Sequence, residues 1–392
     1  MLKNINKLSF ALCVLFGTMI AGTAFAQTIK IGVDGPFTGG SSSMGVSMRD
    51  GVRLAAKEIN ATGGVLGKKI ELVERDDEAK NERGVEIAQE LINREKIVAM
   101  VGYINSGVSL ASHRFFQEAK IPVINNVSTA TAITKVQFAD AKDKFIFRTS
   151  ARDEIQAPMI ANYAIGVKGF KKPAILADST NYGQLGLADL KKALAAKGIT
   201  PVAEEKFNVG DVDMTAQVLK AKSAGADVIL TYAIGPELAQ IANSMAKVGW
   251  KVPMIGSWTL SMANYIDSAG KNGEGAIMPE TFIQSQQNTA KRKTFVAAYL
   301  KEFNPKNGRI DSPVSAAQGY DSIYLLAAAI KQAGSTDGDK IRLALEDLKT
   351  PVVGVVKTYN KPFSSTDHDA ITVKDVTMGI VKDAKVVAVG EK

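Results

Sequence analysis

Apolar runs typical of β-strands alternate with amphipathic segments typical of helices along almost the whole chain, and this alternation constrains the fold most. The first block begins with TIKIGVDGPF and the helix-like SMRDGVRLAAKEINAT. The pattern begins again after FIFRTS, at the strand-like KPAILAD. Strands that alternate with helices form parallel sheets with helices on both faces. The sequence therefore predicts an α/β protein with two lobes of related architecture, each built on a parallel central sheet.

The last third of the chain is less regular. Two further helices are expected there, around Arg292–Phe303 and Ala316–Ala333. The tail segments VVGVVKTYNKPF and VTMGIVKDAKVVAVG are both strand-like. We expect both of them to form late strands that return to the sheets.

The N-terminus has the organisation of a secretory signal peptide. Two lysines precede an apolar run from Leu8 to about Ile20, and an Ala-Phe-Ala cleavage pattern ends at Ala26. We expect residues 1–26 to be removed, so that the exported chain begins at Gln27 in the periplasm. The alternative is an anchor helix that stays attached, but such an anchor needs ~20 apolar residues and this run is shorter.

The chain carries few residues suited to catalysis or metal binding. Its one cysteine, Cys13, lies in the predicted signal peptide, so the exported chain is expected to have no disulfide and no thiolate site. His113 and His368 lack metal-ligand spacing, and His113 is expected on the surface or the packed face of a helix. Nucleophile-elbow, P-loop and dinucleotide motifs are missing as well. We therefore expect a protein that is not an enzyme and that uses no metal or cofactor.

The charge argues against nucleic acid as a partner. The 48 Lys and Arg residues against 40 Asp and Glu residues give a formal charge of +8. The basic residues are dispersed in short pairs such as Lys171-Lys172, whereas a nucleic-acid-binding face needs clustered basic residues with aromatics between them. The pattern is typical of a solvated surface.

Small hydroxyl and amide residues follow several of the predicted strands. These loops contain Ser41–Ser43, Asn105-Ser106, Ser128-Thr129, Ser179-Thr180 and Ser257–Thr259. Each loop could simply cap the helix that follows it. Because ligands bind at the carboxyl ends of parallel strands, the five loops together favour a shared polar cleft. Hydroxyls and free backbone N–H groups at helix starts suit a carboxylate.

Motifs spread over nearly the whole chain resemble those of the leucine/isoleucine/valine-binding family of periplasmic proteins. They are GPFTGGSSSMG, VGYINSGVSLA, VINNVSTATAIT, ADSTNYGQLG and GPELAQIANSMAKVGWKVPMIGSW. The resemblance implies a type I periplasmic binding protein with two Rossmann-like lobes and three hinge crossovers. It predicts a first lobe of residues 27–149 plus 279–375 and a second lobe of residues 150–278 plus 376–392.

The resemblance also implies a set of ligand-binding residues. Ser106 matches a serine that holds the ligand carboxylate, and Thr129 matches its companion. The carbonyl of Ser128 matches an acceptor for the ligand ammonium, and Tyr182 matches an aromatic residue that closes over the ligand.

Four further matched positions carry residues that differ from those of other members. Met44 and Ile234 stand where amino-acid binders often have tyrosines. Ala79 and Asn105 stand where some members have paired cysteines. Asn105 also belongs to the predicted site, as part of the strand-end loop Asn105-Ser106.

The departure with the largest consequence is Trp258, which stands where branched-chain amino-acid binders have a glutamate for the ligand ammonium. A buried ammonium without an anion costs several kcal/mol. Asp321, Asp178 or Glu237 could supply the negative charge, or Trp258 could make a cation–π contact. Asp321 could equally cap a helix or bond at the hinge. The sequence thus leaves open an amino-acid ligand and an amine-free or aromatic carboxylate.

These observations predict an extracytoplasmic solute-binding protein of a branched-chain amino-acid-type ABC transporter. The expected partners are a small-molecule ligand and an ABC permease in the inner membrane, and the chain is expected to be a monomer. The alternative is a ligand-sensing module that reports to a membrane receptor, because the same fold serves that role.

Overall fold

The structure is a computed structural model that describes residues 28–391. The predicted signal peptide and its cleavage site lie outside the described residues. Strands and helices are numbered in chain order below. The described helices include none that is long and apolar enough to span a membrane.

The first sheet has five strands, all parallel, in the order β2-β1-β3-β4-β5. Its strands are β1 Ile29–Gly35, β2 Ile70–Asp76, β3 Ala99–Gly102, β4 Val123–Asn125 and β5 Ile146–Arg148. Strands β3, β4 and β5 are buried along their whole length, as expected for parallel strands covered by helices on both faces.

The second sheet has seven strands in the order β14-β13-β10-β9-β8-β6-β7. Its strands are β6 Pro173–Asp178, β7 Ala203–Phe207, β8 Val228–Tyr232, β9 Met254–Gly256, β10 Ile277–Glu280, β13 Thr377–Lys382 and β14 Lys385–Ala388. The strands from β6 to β10 are parallel, whereas β13 and β14 pair antiparallel at one edge. The predicted parallel central sheet is confirmed in this lobe, and the tail adds an antiparallel hairpin to one edge of it.

The two tail segments behave differently. The segment from 377 to 388 joins the second sheet, as predicted. The segment VVGVVKTYNKPF instead forms a separate two-stranded sheet of β11 Val352–Val353 and β12 Thr358–Tyr359. The expectation that this segment returns to a main sheet was therefore wrong. Its strands are only two residues long, and hydrogen bonds to the buried side chain of Asp321 hold them in place.

Twelve α-helices occur within the described residues. They are α1 Ser42–Ala61, α2 Asn81–Glu90, α3 Ser106–Glu118, α4 Ala132–Lys135, α5 Asp153–Ala161, α6 Asn181–Ala195, α7 Thr215–Ser223, α8 Gly235–Lys247, α9 Ala263–Ala269, α10 Ala290–Phe303, α11 Pro313–Ala333 and α12 Gly338–Glu346.

Helix α11 belongs with the first sheet although it follows the second sheet in the chain. It packs closely on α1, and glycines make the approach possible. A Cβ atom on Gly51 would lie 2.1 Å from the carbonyl oxygen of Ala316, and one on Gly319 would lie 2.6 Å from that of Met48. The first lobe is therefore discontinuous in sequence.

The chain crosses between the lobes three times. The crossovers follow Arg148, Glu280 and Asp369, and the backbone of Asp369 forms an isolated bridge with Arg148 before the chain enters β13. Strand β10 pairs with β13 as far as Glu280, so residues 279 and 280 lie in the second sheet rather than in the predicted first lobe.

Candidate ligand-binding site

A cavity lies where the two lobes and the three crossovers meet. Its walls carry Val127, Thr129, Val314 and Gln318 from the first lobe and Gln156 and Trp258 from the second, with Ser150, Ala151, Pro279, Thr281 and Val376 at the crossovers. The free volume of this cavity is about 10 Å³, which is room for about one water molecule. A small organic ligand therefore fits between these walls only when the walls move apart.

The two lobes touch each other across the cleft. The hydroxyl of Thr131 donates to Asp189 on α6 at 2.7 Å. The side-chain amide of Asn264 donates to the carbonyl of Gly40 at 3.1 Å. The structure therefore has the closed arrangement of the lobes.

Ser106 and Thr129 lie together, as the sequence predicts. Ser106 is the first residue of α3, and its hydroxyl accepts from the backbone nitrogen of Ala130 at 3.3 Å. Thr129 lines the cavity, and its buried hydroxyl faces the carboxyl group of Asp153 without a hydrogen bond of good geometry. Ser106 lies at the start of α3, where the helix dipole and free backbone N–H groups suit an incoming carboxylate.

Ser128 faces away from the cavity. Its carbonyl oxygen accepts from the side-chain amide of Asn125 at 2.8 Å and from the hydroxyl of Ser150 at 2.7 Å. Its own hydroxyl donates to Asn125 at 2.5 Å. Both lone pairs of the carbonyl are thus engaged inside the first lobe. The cavity wall is formed by the flanking residues Val127 and Thr129, so the predicted ammonium-binding role of the Ser128 carbonyl has no support in this geometry.

Trp258 forms the wall contributed by the second lobe. Its backbone nitrogen donates to the Gln156 side chain at 3.2 Å. Its indole nitrogen is buried, and no partner for it occurs in the part of the chain that the structure describes. Tyr182 does not line the cavity itself. Its hydroxyl donates to the hydroxyl of Ser257, the residue before Trp258, at 2.6 Å. Trp258 therefore offers an aromatic face and one free donor to the cavity.

Three other predicted site residues lie further from the cavity. Met44 and Ile234 are buried in the hydrophobic core. Asn105 donates to the hydroxyl of Ser41 at 3.2 Å, which joins the loops after β1 and β3. These residues shape the loops around the cavity rather than its wall.

Asp321 is a structural residue of the first lobe. Its carboxylate accepts from the backbone nitrogens of Val355 and Val356 at 2.6 and 2.8 Å, and from the Tyr359 hydroxyl at 3.0 Å. Burial raises its pKa to about 6. Because its oxygens hold the small sheet of β11 and β12, its predicted contact with a ligand ammonium is corrected to a hairpin-holding role.

The other two acids weighed for the ammonium serve loops of the second lobe. Asp178 accepts from the backbone nitrogen of Thr180 at 2.9 Å. Glu237 accepts from the backbone nitrogen of Gly210 at 2.7 Å. Burial raises the pKa of both carboxyls.

Sequence reasoning missed two glutamines and one acid near the cavity. Gln318 donates to Thr281 at 3.1 Å, and its carbonyl oxygen has no partner within residues 28–391. Gln156 and the fully buried Asp153 lie on α5, directly after the first crossover. A run of polar residues at that crossover, ARDEIQ, was the available signal, but such residues are equally common as helix caps.

His113 is buried rather than functional. It meets the ring of Tyr103 edge-on at 5.4 Å, and burial lowers its pKa to about 3. Within the described range, no group of three or more His, Cys, Asp or Glu residues is arranged to hold a metal ion.

Residues 28–384 match the sequence pattern of the family described as periplasmic binding protein. A curated relative, Leu/Ile/Val-binding protein homolog 2 of Brucella abortus (strain 2308), is 31% identical over 87% of this chain and 88% of its own length.

Solved structures share the fold. The branched-chain amino acid transporter substrate binding protein of Streptococcus pneumoniae str. Canada MDR_19A, in complex with isoleucine, is similar with a TM-score of 0.81 and 25% identity, over 92% of this chain and 98% of that one. The solute binding protein of an ABC transporter from Rhodopseudomonas palustris BisB5, in complex with 3,4-dihydroxy benzoic acid, has a TM-score of 0.78 and 24% identity, over 92% and 95%. The chain therefore belongs to the periplasmic binding protein family and, within it, to the Leu/Ile/Val-binding proteins of ABC transporters.

Proposed function

We propose that this chain captures an amino acid or another small organic carboxylate between its two lobes and delivers it to an ABC permease. The observation that carries the proposal is the cavity between the lobes, which is walled by both lobes and by all three crossovers. A ligand in such a cavity contacts both lobes only when they close, so binding and closure are coupled.

The ligand carboxylate is proposed to lie between Ser106 and Thr129. The hydroxyl of Thr129 is buried at the cavity wall, and Ser106 begins α3, where the helix dipole favours an anion. Hydrogen bonds to a charged group contribute ~1.5–3 kcal/mol each. Micromolar binding requires ~8 kcal/mol, so these bonds must be joined by apolar contacts.

The apolar part of the ligand is proposed to pack on Trp258, Val127 and Val314. An indole face suits both a branched aliphatic chain and an aromatic ring. The same fold holds isoleucine in one solved protein and 3,4-dihydroxy benzoic acid in another. Because Trp258 can pack against either kind of group, aromatic acids and amino acids are both candidate ligands.

We propose that the permease recognises the closed, ligand-bound form of the two lobes, and that the protein carries out no chemical reaction. On this view the chain is a monomer that is exported by a signal peptide cleaved after Ala26. Intact-mass measurement of the extracytoplasmic fraction should give a chain that begins at Gln27. A chain that retains residues 1–26 would contradict the cleavage.

A thermal-shift panel tests the proposed function, because a ligand that binds only the folded state raises the melting temperature. The exported form is heated with leucine, isoleucine, valine, phenylalanine, benzoate and 4-hydroxybenzoate. Leucinamide and benzamide serve as matched controls because they lack the carboxylate. We expect at least one acid to raise the melting temperature and its amide to have a far smaller effect. Equal shifts with acid and amide would contradict the carboxylate site.

A further inference from the structure

We infer that Trp258 and Gln318 together bind a hydroxyl group of the ligand, so that this receptor prefers carboxylates that carry a hydroxyl away from the acid group. The inference rests on the proposed function and narrows the ligand class of the same cavity. It follows from two buried polar atoms, one on each lobe, that belong to residues of the cavity wall and have no hydrogen bond in the described chain.

The indole ring of Trp258 supplies a hydrogen-bond donor from the second lobe. The residue is buried, and its Nε1 has no acceptor among residues 28–391. Its backbone is held in place, because its nitrogen donates to the Gln156 side chain at 3.2 Å and its carbonyl accepts from the Ser261 hydroxyl at 2.8 Å. An indole N–H can donate but cannot accept. This atom therefore requires an acceptor on the ligand.

The side-chain amide of Gln318 supplies an acceptor from the first lobe. Gln318 lies on α11 and is buried. Its Nε2 donates to the Thr281 hydroxyl at 3.1 Å, whereas its Oε1 has no donor within the part of the chain that the structure describes. The bond to Thr281 orients the amide, so its carbonyl oxygen requires a donor on the ligand.

The other polar side chains around the cavity already interact within the protein. Ser150 donates to a backbone carbonyl at 2.7 Å. Gln156 donates to another backbone carbonyl at 2.8 Å, and its Oε1 accepts from the backbone of Trp258. The hydroxyl of Thr129 faces the carboxyl group of Asp153. The indole N–H and the Gln318 oxygen are therefore the pair of atoms in this wall that a ligand can satisfy.

A hydroxyl group matches this pair. Its single oxygen donates one hydrogen bond and accepts others, whereas an ammonium only donates, a carboxylate only accepts and an alkyl group does neither. Buried donors and acceptors cost free energy when they are left unpaired. A ligand with the hydroxyl is therefore favoured over a ligand of the same shape without it.

The positions of the two residues connect this hydroxyl to closure of the lobes. Trp258 follows β9 of the second lobe, and Gln318 belongs to the helix that packs on α1 of the first lobe. One ligand oxygen bonded to both residues joins the lobes. The hydroxyl should therefore favour the closed form. Val127 and Val314 line the same cavity and suit the apolar part of the ligand between its carboxylate and its hydroxyl.

The experiment compares ligands of nearly equal size in which a hydroxyl replaces a methyl group. Calorimetry measures 4-hydroxybenzoate against 4-methylbenzoate, 3-hydroxybenzoate against 3-methylbenzoate, and threonine against valine. We expect the best hydroxyl ligand to bind at least about 10-fold more tightly than its methyl partner. The methyl partner leaves both the indole N–H and the Gln318 oxygen unpaired.

Two variants assign this preference to the two atoms. Trp258→Phe removes the indole N–H but keeps an aromatic wall, and Gln318→Met removes the acceptor at nearly constant size. Each should reduce the preference for the hydroxyl ligand to about threefold or less, because only one of its two hydrogen bonds remains. Trp250→Phe is the matched control, since Trp250 lies on a surface groove of the second lobe, and it should keep the full preference.

The wild-type comparison decides the inference even if a variant does not fold. Equal or weaker binding of the hydroxyl ligand in all three pairs would overturn the hydroxyl subsite and leave the carboxylate receptor intact. A preference that persists undiminished in both Trp258→Phe and Gln318→Met would overturn the subsite as well. Failure of these six acids and of every acid in the thermal-shift panel to bind would overturn the proposed function.

Discussion

The backbone nitrogen of Asp153 donates to the carbonyl oxygen of Thr129 at 2.8 Å, which ties the first helix of the second lobe to the cavity wall of the first lobe. This bond spans the first crossover. Residues at a hinge move least when the lobes rotate, so the bond keeps the start of α5 beside Thr129. Trp258 is bonded to the same helix, because its backbone nitrogen donates to the Gln156 side chain at 3.2 Å.

Thr129→Ala should weaken ligand binding by ~1.5–3 kcal/mol, because it removes a hydrogen bond to a charged carboxylate. The free chain should lose less than this, since the hydroxyl faces the Asp153 carboxyl without a hydrogen bond of good geometry. Calorimetry measures the affinity and a melting curve measures the stability. Thr200→Ala, at an exposed position of the second lobe, is the matched control. Unchanged affinity in both Thr129→Ala and Ser106→Ala would remove these residues from the site.

Trp258 should report ligand binding by its fluorescence. The chain has two tryptophans, and the other one, Trp250, lies on a surface groove of the second lobe. We expect Trp250→Phe to keep the ligand-dependent change in emission and Trp258→Phe to lose it. A change that persists in Trp258→Phe would show that the ligand does not contact this wall.

Trp258→Glu should shift preference toward amino acids. The variant adds an anion for a ligand ammonium and removes the aromatic face. A competition assay between leucine and benzoate measures the shift, with Trp250→Glu as the control for added charge. A Trp258→Glu variant with wild-type preference would contradict the position of Trp258 in the cavity wall.

Asp321→Asn should destabilise the fold without changing ligand preference. The variant weakens three hydrogen bonds that hold the sheet of β11 and β12, at a cost of about 1–3 kcal/mol. Chemical denaturation measures this cost, and the leucine/benzoate competition measures preference. Loss of amino-acid binding in a fully folded variant would restore Asp321 as an ammonium partner.

Asp321 should also contribute to the pH dependence of stability. Burial raises its pKa to about 6 in the folded chain, from an ordinary value of 3.8. As the pH rises from about 4 to about 6, the unfolded chain releases this proton while the folded chain retains it. The contribution of this group to the free energy of unfolding therefore falls across that window. Asp321→Asn should show a smaller fall than the wild type in denaturation series at pH 4, 5 and 6.

Ligand should close the lobes by rotation at the hinge. Small-angle scattering should give a smaller radius of gyration with ligand than without it. Thr131→Ala should weaken ligand binding by about 1 kcal/mol, because the closed form loses the bond between Thr131 and Asp189. The control is Asp339→Asn, since its ion pair with Lys120 lies within the first lobe. An unchanged scattering curve under saturating ligand would contradict closure.

The elements of both lobes could be read from the sequence because their signals are local. The fully buried strands β6 and β8 are continuous apolar runs, and the helices have one apolar face. The short strands β11 and β12 were wrongly expected to join a main sheet, because a two-residue strand carries almost no periodic signal. The side chain that holds the connection between them, Asp321, lies about 30 residues earlier in the chain.

The sequence by itself determined the family, the two α/β lobes and the serine and threonine at the strand ends, since these depend on local pattern and motif. The tertiary structure decided which polar residues face the cavity. Thr129, Gln156, Trp258 and Gln318 come from distant parts of the chain and meet only because three crossovers bring the lobes together. From the sequence, Asp178, Glu237 and Asp321 were equally good candidates for the partner of a ligand ammonium. The tertiary structure distinguishes them by their burial and by the hydrogen bonds that their carboxylate oxygens already make within the protein. Those quantities depend on packing between distant segments, which a linear pattern does not contain.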